Sequence, residues 1–372
     1  MLGLAVFGVA LLGALFALYH LFDFHVFWSA GRDVLHGRSP YPSLASIASD
    51  RKDYYVYPPV LALVGAPLGA LPFPVAGALF AAGLVAATAL ALRLLGVRDL
   101  GCYAVCLAWA ATLQAIALGT VGPLLVLLLA LAWRHRDRRL VCAGAVAAAV
   151  CLKVFLWPLL VWLLATRRYR TGTLSALLAG GSALAAWAAI GFAGLRSYPH
   201  LLERLTSVEE GRSFSLTALS RSLGFPEAVG RTVLVLAAVV ILGGIVALAR
   251  RDDGDRRAFA LAVAASLALT PIVWLHYFCL LVVPIAVASP RMSRLWLIPA
   301  ALVLPIPTSG GHPLLILWAI AVATAAFAVV LRPQLPGGSR RRVPVRALRP
   351  VGSGLDHEPV AHGQAAAGAR PG

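Results

Sequence analysis

Charge is scarce in this chain. Only 13% of its 372 residues are charged, and acids are the scarcest, 15 against 32 Lys and Arg. With 60% hydrophobic residues and a mean hydropathy of +0.85, that scarcity excludes both a soluble globular domain and a disordered chain. Alternation of apolar and polar residues is missing too, which excludes an outer-membrane barrel. The apolar runs are rich in Leu, Ala and Val and read as helices, the open structure that satisfies its own backbone in lipid. Cysteine offers no framework. Cys102, Cys106, Cys142, Cys151 and Cys279 all lie within apolar segments, without disulfide or zinc spacing, and read as small buried hydrophobes. The first apolar run, Leu2 to Phe22, has no basic region before it and no small-x-small site after it, so it is expected to remain as a first helix.

What is there is an all-α, polytopic transmembrane bundle. The net charge of +17 would point to nucleic acid in a soluble protein, but the Arg residues gather in short clusters between apolar runs, the pattern of topology signals. They fall at 93–98, 134–139, 167–170, 250–257, 291–294 and beyond 332, all of which the positive-inside rule assigns to the cytoplasm. Residues 23–58 and 192–228 then lie outside, as do short turns at 119–122 and 308–312. The spans 140–166 and 258–289 have positive ends on both sides. Each is therefore expected to be a broken helix pair, turning at Lys153 in the first and at Pro271, Trp274 and His276 in the second. Residues 59–95 are too long for one straight crossing at about 1.5 Å per residue, and Pro72 and Pro74 split them. The count is about twelve helices. Residues 1–332 form one transmembrane domain; 333–372, rich in Pro, Gly and Arg, read as a disordered, basic cytoplasmic tail that touches membrane lipids.

This threading collects polar residues on one side. Asp23, Asp33, Lys153, Arg221 and His276 fall at or near the outer face, with Tyr41, Tyr55, Tyr57 and Trp274. Lys and Arg clamp phosphate oxygens, so the set suits an anionic lipid headgroup. If a sugar is carried on a lipid phosphate, its leaving group needs charge neutralisation more than a proton. One Asp acting as base on the attacking hydroxyl is then enough for an inverting displacement, without the paired carboxylates of a glycoside hydrolase. Each residue also has a plainer reading: Asp23 as a polar stop, Lys153 as a snorkelling cation, the tyrosines as interfacial anchors. His25 and His36 near Asp23 and Asp33 do not have metal-ligand spacing, and no metal or cofactor is expected.

Several segments carry a resemblance. Asp23, Ala30-Gly31, Leu35, Gly37, Pro40-Tyr41 and Tyr55-Val56-Tyr57-Pro58-Pro59 open it; Lys153 with Pro158, Ser215-Leu216 with Arg221, and Thr270-Pro271-Ile272-Val273-Trp274-Leu275-His276-Tyr277 continue it. Together they resemble the polyprenol-phosphate-mannose-dependent mannosyltransferases of glycosyltransferase family 87, which have the GT-C membrane fold. The resemblance implies a cell-membrane enzyme with its site on the extracytoplasmic side, a polyprenyl-phosphate sugar donor with mannose as the sugar, and a glycan or glycolipid acceptor. It implies Asp23 as catalytic base, Lys153, Arg221 and His276 on the donor phosphate, and Tyr41, Tyr55, Tyr57, Trp274, Tyr277 and Ser215 lining the substrate pocket. Thr120, Gly122, Ser213, Phe214 and Tyr277 depart from the family's usual residues, and related families transfer arabinofuranose. A flippase for lipid-linked sugars, or a small-solute transporter, is the other class compatible with broken helices and a buried Lys, although no internal repeat is evident.

Overall fold

The computed structural model of the protein describes residues 20–42, 54–304 and 311–333, and among them the fold is all-helical with no strand. The body of the predicted first span, the turn at 308–310 and the basic tail lie outside these residues. In chain order the helices are α1 (Phe22–Leu35), α2 (Pro59–Gly69), α3 (Phe73–Leu94), α4 (Leu100–Ala108), α5 (Ala110–Leu118), α6 (Gly122–Arg134), α7 (Arg139–Leu152) and α8 (Pro158–Ala165). They continue with α9 (Tyr169–Ala189), α10 (Tyr198–Glu209), α11 (Leu216–Ser222), α12 (Glu227–Ala249), α13 (Gly254–Ala268), α14 (Val282–Ala288) and α15 (Pro313–Val330). Four 3-10 stretches, Val154–Leu156, Glu210–Arg212, Leu275–Leu281 and Arg294–Val303, join them.

Four of these helices, α3, α9, α12 and α15, are long and apolar enough to cross a membrane, and the bent pair α4 and α5 makes a fifth if taken as one span. The remaining apolar helices are too short for a hydrocarbon core of about 30 Å. Their breaks fall at the predicted residues. Pro72 caps α3 and separates it from α2, while Lys153 ends α7 in an extended conformation before Pro158 opens α8. The second pair breaks between Ala268 and Leu275, at the segment holding Pro271 and Trp274.

α7 shows how the two ends of the bundle differ. It runs from Arg139 to Leu152, about 20 Å at the usual helical rise. Near its first end, Asp255 accepts from Arg136, Arg168 and the Trp162 indole, and Arg168 also reaches Asp137. Arg256 pairs with Asp253 and donates to the carbonyls of Val330 and Arg332. Loops at 134–139, 167–170, 250–257 and 332 thus share one polar layer. Lys153 stands at the other end of α7.

α1 and α2 cross with backbones in contact. A Cβ on Gly31 would lie 2.9 Å from the Gly65 carbonyl carbon, and one on Gly69 2.6 Å from the Arg32 nitrogen. Gly65 and Gly69 form a small-x-x-x-small pair of the kind that lets helices approach in membranes. The start of α1 is fixed against α5: the Leu21 amide donates to Ala117 O (3.1 Å), and a Cβ on Gly119 would meet that of Phe24 at 2.5 Å. Gly119 itself is in the left-handed region (φ +69°), where glycine ends a helix without penalty.

Candidate active site

Asp23 occupies the first turn of α1, where a carboxylate complements the helix dipole. The two residues before the helix proper, His20 and Leu21, both hold left-handed backbone (φ 47° and 57°). For non-glycine residues this costs about 1–2 kcal/mol each and persists only where the surroundings impose it. Here the Leu21 bond to Ala117 and the Phe24 contacts with Gly119 and Phe80 impose it. Among the described residues the Asp23 carboxylate accepts no hydrogen bond and joins no ion pair. Burial pushes it up to about 6, and the ammonium of Lys153 opposes that rise.

Lys153 is delivered by the break between α7 and α8. Its Nζ donates to the Tyr277 hydroxyl at 2.8 Å and lies 4.2 Å from the centre of the Tyr57 ring. Tyr277 is steadied by stacking on Phe155 (5.0 Å between centroids) and by the edge of His276 (4.9 Å). His276 is 6% exposed, yet its ring nitrogens bond to none of the described residues. Asp23, Lys153, Tyr57, His276 and Tyr277 therefore form one cluster, a lone carboxylate facing a lone ammonium held on two phenol rings.

The other aromatics stand behind this cluster. The segment 55–58 has no helix or strand partner, so its backbone groups need other partners. Tyrosine hydroxyls supply them. Tyr41 donates to Tyr57 O (2.8 Å), Tyr198 to Val56 O (3.0 Å) and Tyr55 to Pro58 O (2.6 Å), while the Ala62 amide donates to the Tyr55 hydroxyl. Tyr41 is stacked on Trp187 at 4.9 Å. Tyr41 and Tyr55 are thus buried, with their hydroxyls engaged by backbone, and act on the cluster by fixing the ring of Tyr57 beneath Lys153. Trp187 and Tyr198 were not singled out in the sequence; Tyr198 lies in the stretch 192–228 assigned outside, while Trp187 lies near the end of α9 and carries no such signal.

Ser215 caps α11, accepting from the Ala218 amide and from the Ser213 hydroxyl. The same short stretch docks on the second helix break: the Phe214 amide donates to Val273 O at 2.7 Å. Two segments 60 residues apart in the chain, 213–217 and 270–274, are in this way bound side by side, next to the half-buried Trp274. Arg221 stands apart. It pairs with Glu210 at 2.8 Å and is about half exposed, and no contact joins it to the Lys153 cluster among the described residues. Its acidic partner, eleven residues upstream, carries no spacing signal that would have marked it. The described residues contain no group of three His, Cys, Asp or Glu able to hold a metal ion.

A helical membrane protein whose short helices break around a carboxylate, a lysine and a histidine is the class that fold and site define. The chain belongs to glycosyltransferase family 87, whose family model matches residues 55–275. It is therefore a membrane glycosyltransferase, with a sugar donor and an acceptor. The matched range takes in Tyr55, Tyr57, Lys153, Ser215, Arg221 and Trp274 and ends one residue before His276; Asp23 and Tyr41 precede it. No curated protein and no solved structure matches the chain.

Proposed function

We propose that the protein transfers a sugar, mannose, from a polyprenyl monophosphate donor to a glycan or glycolipid acceptor, with inversion, at the extracytoplasmic face of a multi-pass cell-membrane bundle of about twelve helices. The observation that carries this reading is the unpartnered, half-buried carboxylate of Asp23 facing Lys153. A carboxylate raised to about 6 is ionised at neutral pH yet basic enough to accept a hydroxyl proton, the property a general base needs. The acceptor oxygen forms its bond to the anomeric carbon as its proton passes to Asp23, and the bond from that carbon to the phosphate oxygen breaks on the opposite side. Polyprenyl phosphate leaves with one more negative charge than the phosphodiester carried. Lys153 meets that charge, with His276 as a second hydrogen-bonding partner, and the phenols of Tyr57 and Tyr277 hold the ammonium in place meanwhile. Trp274 and Tyr277 line the sugar side, with Ser215 bracing the segment that presents them, and Tyr41 and Tyr55 secure Tyr57. Arg221 joins the phosphate only by releasing Glu210, so its loss weakens donor binding less than loss of Lys153.

The test is incubation of the purified protein with a panel of polyprenyl-phosphate sugars, scoring release of polyprenyl phosphate with and without candidate acceptors. Mannose should be the sugar released, and Asp23→Asn should bind donor but cut turnover by about a hundredfold or more. Turnover of Asp23→Asn near the wild-type rate removes Asp23 from the mechanism. Donor movement across a bilayer without bond cleavage would replace the enzyme with a flippase.

A further inference from the structure

The opposite face of α1 borders a cavity. Nine residues, two and a half turns, separate Arg32 from Asp23, so the two side chains leave the helix on opposite faces. A hollow of about 560 Å³ lies on the Arg32 side, between the end of α1 and the turn from α2 into α3. That is within the usual range for small-ligand sites.

Its walls are of two kinds. Leu35, Leu71 and Phe73 make an apolar wall, and Phe73 is the first residue of α3, one of the helices long enough to span the membrane. Arg32, Trp28 and His36 make the other. The Trp28 indole is fixed by donating to Leu71 O at 3.0 Å, and the Arg32 guanidinium lies 5.2 Å from its ring centre. The nearest acid in sequence, Asp33, is already engaged by Arg38 through two bonds of 2.8 and 3.0 Å. Among the described residues Arg32 consequently has no carboxylate partner. His36 donates from Nδ1 to Arg32 O at 2.7 Å, which leaves its Nε2 for a ligand. The C-terminus of α2 and the N-terminus of α3 meet at the rim with opposing dipoles, so the guanidinium sets the sign of the site.

We infer that this cavity is a binding site for the anionic headgroup of a phospholipid, with the phosphate on Arg32 and the acyl chain descending along α3. A planar guanidinium without a counter-ion takes a phosphate in bidentate fashion, and the apolar wall continuing into a membrane span suits the attached chain. The site faces away from Asp23 and does not depend on the donor chemistry assigned there.

Native mass spectrometry of the full chain, titrated with phosphatidylglycerol or phosphatidylcholine, tests this inference. Phosphatidylglycerol should be retained preferentially. Arg32→Gln should weaken its binding about tenfold, as expected for one lost charged contact, whereas Arg231→Gln, which removes the same charge from the exposed pair with Glu227, should not. Leu35→Glu places a carboxylate on an exposed wall position and should weaken binding similarly, which keeps the test open if Arg32→Gln does not fold. Equal retention of both lipids overturns the proposal. So does loss in Arg231→Gln as large as in Arg32→Gln, or unchanged binding in Arg32→Gln and Leu35→Glu. Displacement of phosphatidylglycerol by an equal concentration of glycerol phosphate would make the ligand a free phosphate ester and overturn the lipid assignment.

Discussion

A carboxylate without a partner is costly, and Asp23 makes that cost measurable. Its rise from an ordinary 3.8 to about 6 means that the folded state binds a proton more readily than the unfolded chain does. The native state is therefore disfavoured by about 3 kcal/mol above pH 6, and the penalty shrinks as pH falls towards 4, where both states are protonated. Asp23→Asn should accordingly melt several degrees above wild type at pH 8, with the gap closing in acid; equal melting at pH 8 would show that the carboxylate is well solvated. Wild-type turnover should rise with pH through about 6, because only the ionised form accepts a proton, and a flat profile from pH 5 to 8 would exclude Asp23 as base. At this scale the members of the candidate cluster were legible. Asp23, Lys153 and His276 are ionisable groups at the ends or breaks of apolar runs, where charge is retained for a reason. Tyr41 and Tyr55 were legible as aromatics but not as backbone donors, since hydrogen bonds to the carbonyls of Tyr57 and Pro58 leave no mark on spacing.

Among the elements, the crossing of α1 with α2 decides where Asp23 stands. The contact is backbone on backbone, and no rotamer change can relieve a methyl group at Gly69, 2.6 Å from the Arg32 nitrogen. Gly69→Ala should destabilise the protein by about 1–3 kcal/mol and lower turnover by displacing α1. An increased melting temperature with full activity would show that the crossing tolerates separation. The breaks between elements were readable because prolines and a lysine interrupt otherwise continuous apolar runs. Arg221 was harder to place. Its sequence position suits a phosphate ligand as well as an ion pair, and only the fold puts Glu210 beside it.

For the molecule as a whole, the separation of its polar groups into two layers is the main finding. The Arg-rich loops meet around Asp255, and the candidate site lies at the far end of α7. Single-cysteine labelling in intact cells should therefore find positions beside Asp23 and Lys153 accessible from one side and positions 136 and 168 from the other. Labelling of both sets from the same side would break the threading by positive charge. Clusters of Arg mark one end of this arrangement in the sequence, but about twelve helices were expected where four of the described ones are long enough to cross. Shorter helices that lean on neighbours cannot be told from full spans by hydropathy alone. One consequence of the unpartnered carboxylate concerns inhibitors. Asp23 offers an anion that no described residue pairs or hydrogen-bonds, with the Lys153 ammonium held instead on Tyr57 and Tyr277, so a protonated iminosugar would find a ready counter-ion there. Its potency should rise with pH through about 6 and fall again where the inhibitor's own amine loses its proton, a dependence that a phosphate-directed analogue bound at Lys153 would not share.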